Sequence, residues 1–452
     1  MDAEELSRRA VAFDGWFGPA LASRLVEHGY LDELRLQAEQ GDWTCAKALA
    51  GELAGRGEHD AALEVLAPYA ATGWWTAIGT VADTLDGAGR TGEAISLVSP
   101  LAEAGNRYAV NSLAGLLASA GRTEAVLALL GPRTGDWWLA KRLVEVTDGR
   151  DRDDEVLGLL PPPPARHHGD CWNAAILRAR VLERQGRAGD AMEFLRTHIE
   201  STGFSSVNDI EHLADLMARH GQLAQLREFA AGRGGEYAAY RLAGALAEEG
   251  DVGQAVEVLR PFLAGNSRNA AGRAAELLAG HGRVAGAVEV LRPVVAANGY
   301  DCGCALGMLA DLLACDGRAA ETLAIIDDLA AGEEGMTPEL LALRAQALHE
   351  SGRSEQAVAE LRAHPEAGEW FLAEVHASLL ADSGHADQAI DVLSPASGGP
   401  GDVMLAALLI QQGRVKEAAA VVQVPNPSLT RNPWTDDSAA LAAQGETADP
   451  PF

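Results

Sequence analysis

The chain has 452 residues, of which 48% are apolar and 5% aromatic, and its formal net charge is −29. The apolar content excludes an intrinsically disordered chain, because such chains are low in hydrophobic residues. The charge disfavours nucleic acid and membrane surfaces as partners, since both present negative phosphates, and it favours a basic peptide or protein. An alternative interpretation is that the charge only keeps a long exposed surface soluble.

The amino-terminal segment, residues 1–14, begins MDAEELSRRA. It is polar and acidic, unlike a signal peptide, and we expect it to form a cap before the first repeat. No apolar run reaches the roughly 18 residues that a membrane-spanning helix needs. The sequence therefore predicts a cytoplasmic protein that does not enter a membrane.

One pattern recurs along the chain: an apolar helix, a glycine often followed by arginine, and a second helix containing Glu-Ala or a similar pair, as in LLASAGRTEAVLALL. The spacing of these central glycines varies from 28 residues (Gly29 to Gly57) to 37 residues (Gly149 to Gly186). The pattern predicts about thirteen helix-turn-helix units and about 26 helices. The central glycines are Gly29, Gly57, Gly89, Gly121, Gly149, Gly186, Gly221, Gly250, Gly282, Gly317, Gly352, Gly384 and Gly413.

Each central glycine follows a pair of apolar residues that share one helix face, such as Leu113 and Leu117 before Gly121. The glycine permits the left-handed conformation that ends many helices. Proline is expected to end the second helix in several units, at Pro68, Pro100, Pro261, Pro293 and Pro395.

These segments resemble known helical repeats. GRTGEAISLVSPLAEAG and GRSEQAVAELRAHPEAG look like the second helix of tetratricopeptide repeats, and LAEAGNRYAVNSLAGLL is similar to the opening of Sel1-like repeats. The resemblance implies an all-α, right-handed solenoid over residues 15–424. The unit length departs from the regular 34 residues of tetratricopeptide repeats. The four prolines Pro161 to Pro164 predict a stiff loop, with a bend of the array at 159–170, and residues 425–452 are predicted to be a flexible tail.

Tryptophans cluster at the start of the first helices, and two doublets stand out: Trp74–Trp75 and Trp137–Trp138. Adjacent helical residues point about 100° apart, so we expect one member of each doublet to be exposed to a partner. The alternative is that these rings only fill gaps between units. Tyr240, Arg241 and Arg273 complete the predicted partner-binding set, because Arg241 and Arg273 stand nine residues before consecutive central glycines and could hold a carboxylate.

Other candidate sites are weak. Cys302, Cys304 and Cys315 lack a fourth zinc ligand and are predicted to be buried thiols, and His167 and His168 fall in the proline loop as polar filler. No phosphate-binding loop, serine-nucleophile motif or zinc-protease motif occurs, so we predict no enzyme, no cofactor and no metal.

The sequence therefore predicts a protein-protein interaction module that binds a peptide or protein segment on its concave face. The alternative is a structural or regulatory scaffold, or a sensor array, that acts through oligomerisation. The sequence does not specify the partner or the oligomeric state.

Overall fold

The structure is a computed structural model that describes residues 2–12, 16–162, 171–202, 207–265, 267–298, 303–332, 335–394 and 401–423. These residues form 27 α-helices and one short 3₁₀ turn, and no strand occurs among them. The prediction of an all-α solenoid is confirmed. Its right-handed sense stays a prediction.

After the cap helix α1, the helices alternate between first helices, with even numbers, and second helices, with odd numbers. Thirteen such pairs match the thirteen predicted units. The contacts group the chain into two units: residues up to Val98 together with those from Ser354 onward (unit 1), and Ser99–Arg353 (unit 2). The predicted single domain over residues 15–424 stays a prediction, and most of the proposed bend at 159–170 lies outside the described residues.

Unit 1 contains the helices from both ends of the chain, and α7 begins in it. Their bounds are α1 Ala3–Ala12, α2 Pro19–Glu27, α3 Leu31–Glu39, α4 Trp43–Gly55, α5 His59–Ala70, α6 Trp75–Gly87, α7 Thr91–Glu103, α23 Ser354–Ala363, α24 Trp370–Asp382, α25 Ala386–Leu393, α26 Asp402–Gln411 and α27 Val415–Val422.

Unit 2 contains the middle of the chain. Its helices are α8 Arg107–Ser119, α9 Thr123–Leu130, α10 Trp137–Val146, α11 Asp153–Leu159, α12 Cys171–Arg184, α13 Ala188–Thr202, α14 Val207–Arg219, α15 Leu223–Ala231, α16 Gly235–Glu248, α17 Val252–Ala264, α18 Arg268–Gly280, α19 Val284–Asn298, α20 Gly303–Cys315, α21 Ala319–Ala330 and α22 Pro338–Glu350.

All thirteen central glycines adopt a positive φ, between 65° and 89°. Gly57 shows the reason: its N–H donates to the carbonyl of Ala54, and the next N–H, that of Glu58, donates to the carbonyl of Leu53, both at 2.9 Å. These two bonds close the end of α4 and turn the chain into α5. A side chain at this φ would be strained, which explains the recurring glycine.

The prolines of the second helices correct one expectation. Pro68, Pro100, Pro261 and Pro293 lie inside α5, α7, α17 and α19 and do not end them. Each of these prolines is exposed. Proline has no N–H, so the carbonyl one turn earlier loses its helical hydrogen bond. On the exposed side of the helix this carbonyl can bind water instead, and the helix continues for another two to five residues.

In unit 2 each first helix contacts the next first helix, from α8 with α10 through to α20 with α22. The second helices of this unit, apart from α11, make their main contacts with the first helices before and after them. The first helices are rich in buried alanine, such as Ala270, Ala271, Ala274 and Ala275 in α18, and small residues let helices approach closely. Because the first helices are the more closely spaced layer, they form the inner side of this unit.

In unit 1 the two ends of the chain pack together. Helix α2 contacts α26, and Leu21 and Leu25 belong to the same buried cluster as Leu405 and Leu409. The first and last described repeats therefore cover faces that would otherwise be open to solvent.

Candidate interaction surface on the first helices

Trp74 lies in an aromatic cluster in the core of unit 1. Its ring meets Trp43 edge-on at 5.1 Å, and Trp43 packs against Tyr69 at 5.3 Å. Trp43 and Trp74 are only 5% and 8% exposed. Trp74 was among the predicted partner contacts, but its burial makes it a core residue, since the ring fills the space between two repeats.

Trp75, the other member of this doublet, is half-buried. Its indole lies along its own helix, because a Cβ added at Gly79 would be 3.4 Å from Cζ2 of Trp75. Glycine one turn later thus leaves room for a flat ring on the helix surface. The doublet therefore has one buried and one half-buried member, and the 100° helical spacing is not the reason, because Trp74 is the N-cap of α6 with an extended backbone.

Trp137 and Trp138 are both half-buried at the start of α10. Trp138 meets Tyr108 of α8 edge-on at 5.5 Å, and Tyr108 is 37% exposed. The guanidinium of Arg107 lies 5.0 Å from the centre of the Trp138 ring. This pairing of a cation with an indole face, beside an exposed tyrosine, makes an amphipathic surface on two neighbouring first helices.

Asp136 holds this arrangement in place. Its carboxylate caps α10 by accepting the backbone N–H of Trp138 at 2.9 Å, and it also pairs with Nε of Arg107 at 2.9 Å. One carboxylate therefore fixes both the start of α10 and the cation over the indole.

Arg142 extends the same surface, and the sequence reasoning missed it. Its Nε donates to the carbonyl of Asn111 at 3.3 Å, and its guanidinium covers Gly115, where an added Cβ would be 2.2 Å from Nη2. The available signal was Gly115, a glycine inside an otherwise regular first helix. Lys141 and Arg142 both face Glu145, at 3.8 and 3.9 Å, so one carboxylate lies between two cations without a close bond to either.

Arg180 adds a further cation on α12. Arg180 is exposed. Around the surface of α12 it lies between Arg184, which donates to the carbonyl of Val144 on α10, and Glu183, which pairs with Arg219 on α14. We call the group of Tyr108, Trp138, Lys141, Arg142 and Arg180 the α8–α12 surface.

Tyr240 and Arg241 lie on α16 and already have partners within the chain. Arg241 pairs with Asp215 of α14 at 3.2 Å. The Tyr240 hydroxyl donates to Glu236, which also accepts from the hydroxyl of Ser267. Burial, followed by the bond to Glu236, raises the pKa of Tyr240, so this phenol stays protonated.

Arg273 resembles Arg142 in its surroundings. Its Nη1 pairs with Glu276 at 3.2 Å, and its Nη2 would be 3.0 Å from a Cβ added at Gly244 on α16. Arg241 and Arg273 thus each reach toward the preceding first helix, and each has its own carboxylate. The structure does not bring them together on one free site.

The charges of unit 2 are unevenly divided between its two layers. The first helices α8 to α22 carry eleven basic and eleven acidic residues, whereas the second helices α9 to α21 carry four basic and thirteen acidic residues. The excess negative charge therefore lies on the second helices. Helices α8, α10 and α12 contain six basic residues against Glu145 and Glu183.

The cysteine prediction needs a correction. Cys315 is exposed at the last position of α20, although its sequence position predicted burial, because the helix ends there and the core face does not continue past Leu313. Cys302, the Cys304 side chain, His167 and His168 lie outside the described residues. Within the described part of the chain, no three His, Cys, Asp or Glu side chains converge as metal ligands do.

Helices long and apolar enough to cross a membrane do not occur among the described residues.

No model of a known protein family matches the chain, and no curated protein matches it. Among solved structures, the Naa15/Naa10 complex bound to HypK-THB is similar over 93% of this chain and 76% of its own, with 11% identity and a TM-score of 0.39. Maize PPR10 bound to an 18-nucleotide RNA element is similar over 99% and 82%, with 14% identity and a TM-score of 0.37. Yeast Tom70 is similar over 90% and 95%, with 12% identity and a TM-score of 0.31.

At these identities and scores the likeness concerns the helical repeat alone and carries no information about partners. The chain's own helix pairs and turn glycines show an α-helical repeat protein built of helix-turn-helix units.

Proposed function

We propose that the chain is an interaction module that holds a protein segment against the first helices of unit 2, at the α8–α12 surface. The observation that carries this proposal is the exposed Tyr108 beside Trp138, with Arg107 over the indole. Tryptophan, tyrosine and arginine are the side chains that most often dominate binding energy at protein interfaces. The layer of contacting first helices supplies a continuous surface along which an extended segment can lie.

The charges of this surface favour an acidic segment with an apolar or aromatic side chain. Among the described residues, Lys141 and Arg142 share the single carboxylate of Glu145, and Arg180 is exposed on α12, where Glu183 already pairs with Arg219. A carboxylate from a partner would compete with one internal carboxylate for two cations, and guanidinium groups bind carboxylates through paired hydrogen bonds. The basic partner that the total charge favours would suit the acidic second helices instead.

The remaining predicted residues have smaller roles in this proposal. Trp137 is half-buried next to Trp138 at the start of α10, and Trp75 is the half-buried member of the other doublet, in unit 1. Arg241 and Arg273 would contact a longer segment only by exchanging Asp215 and Glu276 for a partner carboxylate. Such an exchange between exposed ion pairs gains little energy, so these two arginines would guide the segment more than anchor it.

A scaffold that assembles through its own surface is the second candidate, but no observation favours it. The large apolar residues that are exposed in the described chain lie on six different helices: Leu36, Tyr108, Val207, Tyr237, Trp370 and Val403. Assembly surfaces are usually contiguous apolar patches. A catalytic role is not part of the proposal.

The test is affinity purification from the native cell with three baits: the wild type, a Trp138→Ala and Arg142→Gln double variant, and Trp370→Ala as a control that removes an exposed ring elsewhere. We expect at least one protein to be recovered with the wild type and the control and lost with the double variant. Equal recovery with all three baits would place the partner on another surface. Recovery of RNA through this surface would contradict the proposed partner class.

A further inference from the structure

A groove lies between two second helices of unit 1. It runs between α3 and α5, and its volume is about 640 Å³. Ala38, Ala61, Val65 and Pro68 form apolar walls, and Arg35, Glu39 and Glu64 are charged lining residues that reach solvent. The hydroxyl of Tyr69 donates to the carbonyl of Ala38 at 2.6 Å, which ties the two helices together across the floor.

The last described residue of the chain lies on one of these helices. The side chain of Gln423, just after α27, donates to Oε1 of Gln37 on α3 at 3.2 Å. The chain therefore continues from a point on α3, the helix that forms one wall of the groove.

An exposed leucine lies between this point and the groove. Leu36, next to Gln37, is 45% exposed. With 100° per residue, Leu36 falls on the outer surface of α3, between Gln37 on one side and the groove-lining Arg35 and Glu39 on the other. A chain that crosses the outside of α3 from Gln423 meets Leu36 first and the groove next.

The sequence that follows suits this path. Residues 424–434 read VPNPSLTRNPW and contain three prolines, which disfavour a helix and favour an extended chain. Eleven extended residues span up to about 36 Å, whereas a helix is about 10–12 Å across. Proline-rich segments bind aromatic-lined grooves at small entropic cost, because their backbone is already extended, and Tyr69 lines this groove.

We propose that residues 424–434 dock onto their own chain, crossing Leu36 and placing Trp434 in the α3–α5 groove. An indole is the largest side chain that this segment offers, and the groove has apolar walls and a volume of about 640 Å³. This proposal concerns unit 1 and is independent of the α8–α12 surface.

The test is ¹⁹F NMR of the full chain labelled with 5-fluorotryptophan. The chain has nine tryptophans, and Trp434→Phe assigns the resonance of Trp434 by its loss. A synthetic peptide of residues 424–440 gives the reference for a free ring. We expect the Trp434 resonance of the full chain to show a smaller H₂O/D₂O solvent shift than the peptide, because the ring is shielded.

Two groove variants and one control test whether Trp434 binds in the α3–α5 groove. Leu36→Ser and Ala38→Gln should each move the resonance toward that of the peptide, and neither is expected to unfold the chain because Leu36 is exposed and Ala38 half-buried. Val403→Ser, which removes an exposed apolar side chain elsewhere in unit 1, should leave it unchanged. The proposal would be overturned if the solvent shift of Trp434 in the wild type equalled that of the peptide. It would also be overturned if neither groove variant changed the Trp434 resonance. A shift that disappears on dilution would show that the occupant comes from a second copy.

Discussion

Gln423 donates a hydrogen bond to Gln37, a residue 386 positions earlier in the chain. This bond accompanies the packing of α26 on α2, so the first and last described repeats share one buried cluster. A linear array normally leaves its terminal units exposed, and those units loosen first. Here each end covers the other, which removes the reason for early loosening.

Hydrogen exchange should show this mutual protection. We expect the amides of α2, α3, α26 and α27 to exchange as slowly as those of α4 and α5, since opening either end would expose the shared cluster. Exchange measured by mass spectrometry on peptides from both ends would check the prediction. Fast exchange in α26 and α27 beside slow exchange in α4 would show that the end contact is too weak to protect them.

Two glycines, Gly51 within α4 and Gly57 just after it, should respond oppositely to alanine. Gly57 has a φ of 82°, so Gly57→Ala should destabilise the chain by about 1–2 kcal/mol through backbone strain. Gly51 lies in the exposed middle of α4 with nothing within 4 Å of an added Cβ, and Gly51→Ala should stabilise by about 0.5–1 kcal/mol. Thermal unfolding of both variants is the measurement, and a change of the same sign in both would contradict this account of the repeat.

The two members of the first tryptophan doublet, Trp74 and Trp75, should contribute unequally to stability. Trp74→Ala removes a buried ring that packs on Trp43 and should cost about 3–5 kcal/mol. Trp75→Ala removes a half-buried ring that lies on its own helix and should cost about 1 kcal/mol. The two melting temperatures should therefore differ clearly. Equal losses would mean that Trp75 is as much a core residue as Trp74.

His376 should make unit 1 less stable in mildly acidic solution. It is only 6% exposed, and burial, helped by Arg362, holds the pKa of its imidazole below the usual 6.5. The unfolded chain therefore binds a proton at a higher pH than the folded chain does. Stability from this group is complete above about pH 6.5 and falls as the pH drops from there toward the lowered pKa.

The measurement is the free energy of unfolding by urea at pH 7.5 and 5.5. His376→Phe removes the ionisable group, and we expect a smaller loss of stability between the two pH values than in the wild type. His385→Gln changes an exposed histidine of the same unit and should keep the wild-type loss. A loss in His376→Phe equal to that of the wild type would assign the pH dependence to other groups.

The fold could be predicted from the sequence because each turn depends on a local requirement. All thirteen central glycines were identifiable, since a positive φ at the helix end selects glycine wherever the chain turns. The position of the prolines was predicted wrongly, because whether a proline ends a helix depends on solvent access to the carbonyl one turn earlier. Pro68 is exposed, and α5 continues past it.

The contacts of the candidate site were less predictable, because they cross between repeats. The sequence placed aromatic residues at the start of first helices but could not tell that Trp74 meets Trp43 while Trp138 meets Tyr108. It also missed Arg142, whose position depends on the absence of a side chain at Gly115 on another helix. The contact of α2 with α26 has no local signal at all, since it depends on the summed geometry of the repeats between them.

The most direct test of the proposed interaction surface is peptide selection followed by calorimetric titration. Peptides selected against the wild type from a random display library should be acidic and should contain an aromatic or large apolar residue. Their Kd should rise at least about tenfold for Trp138→Ala, as expected for an anchor worth over 1.4 kcal/mol, and should stay unchanged for Trp370→Ala. Basic peptides, or acidic peptides that bind Trp138→Ala as tightly as the wild type, would contradict the assignment of the α8–α12 surface.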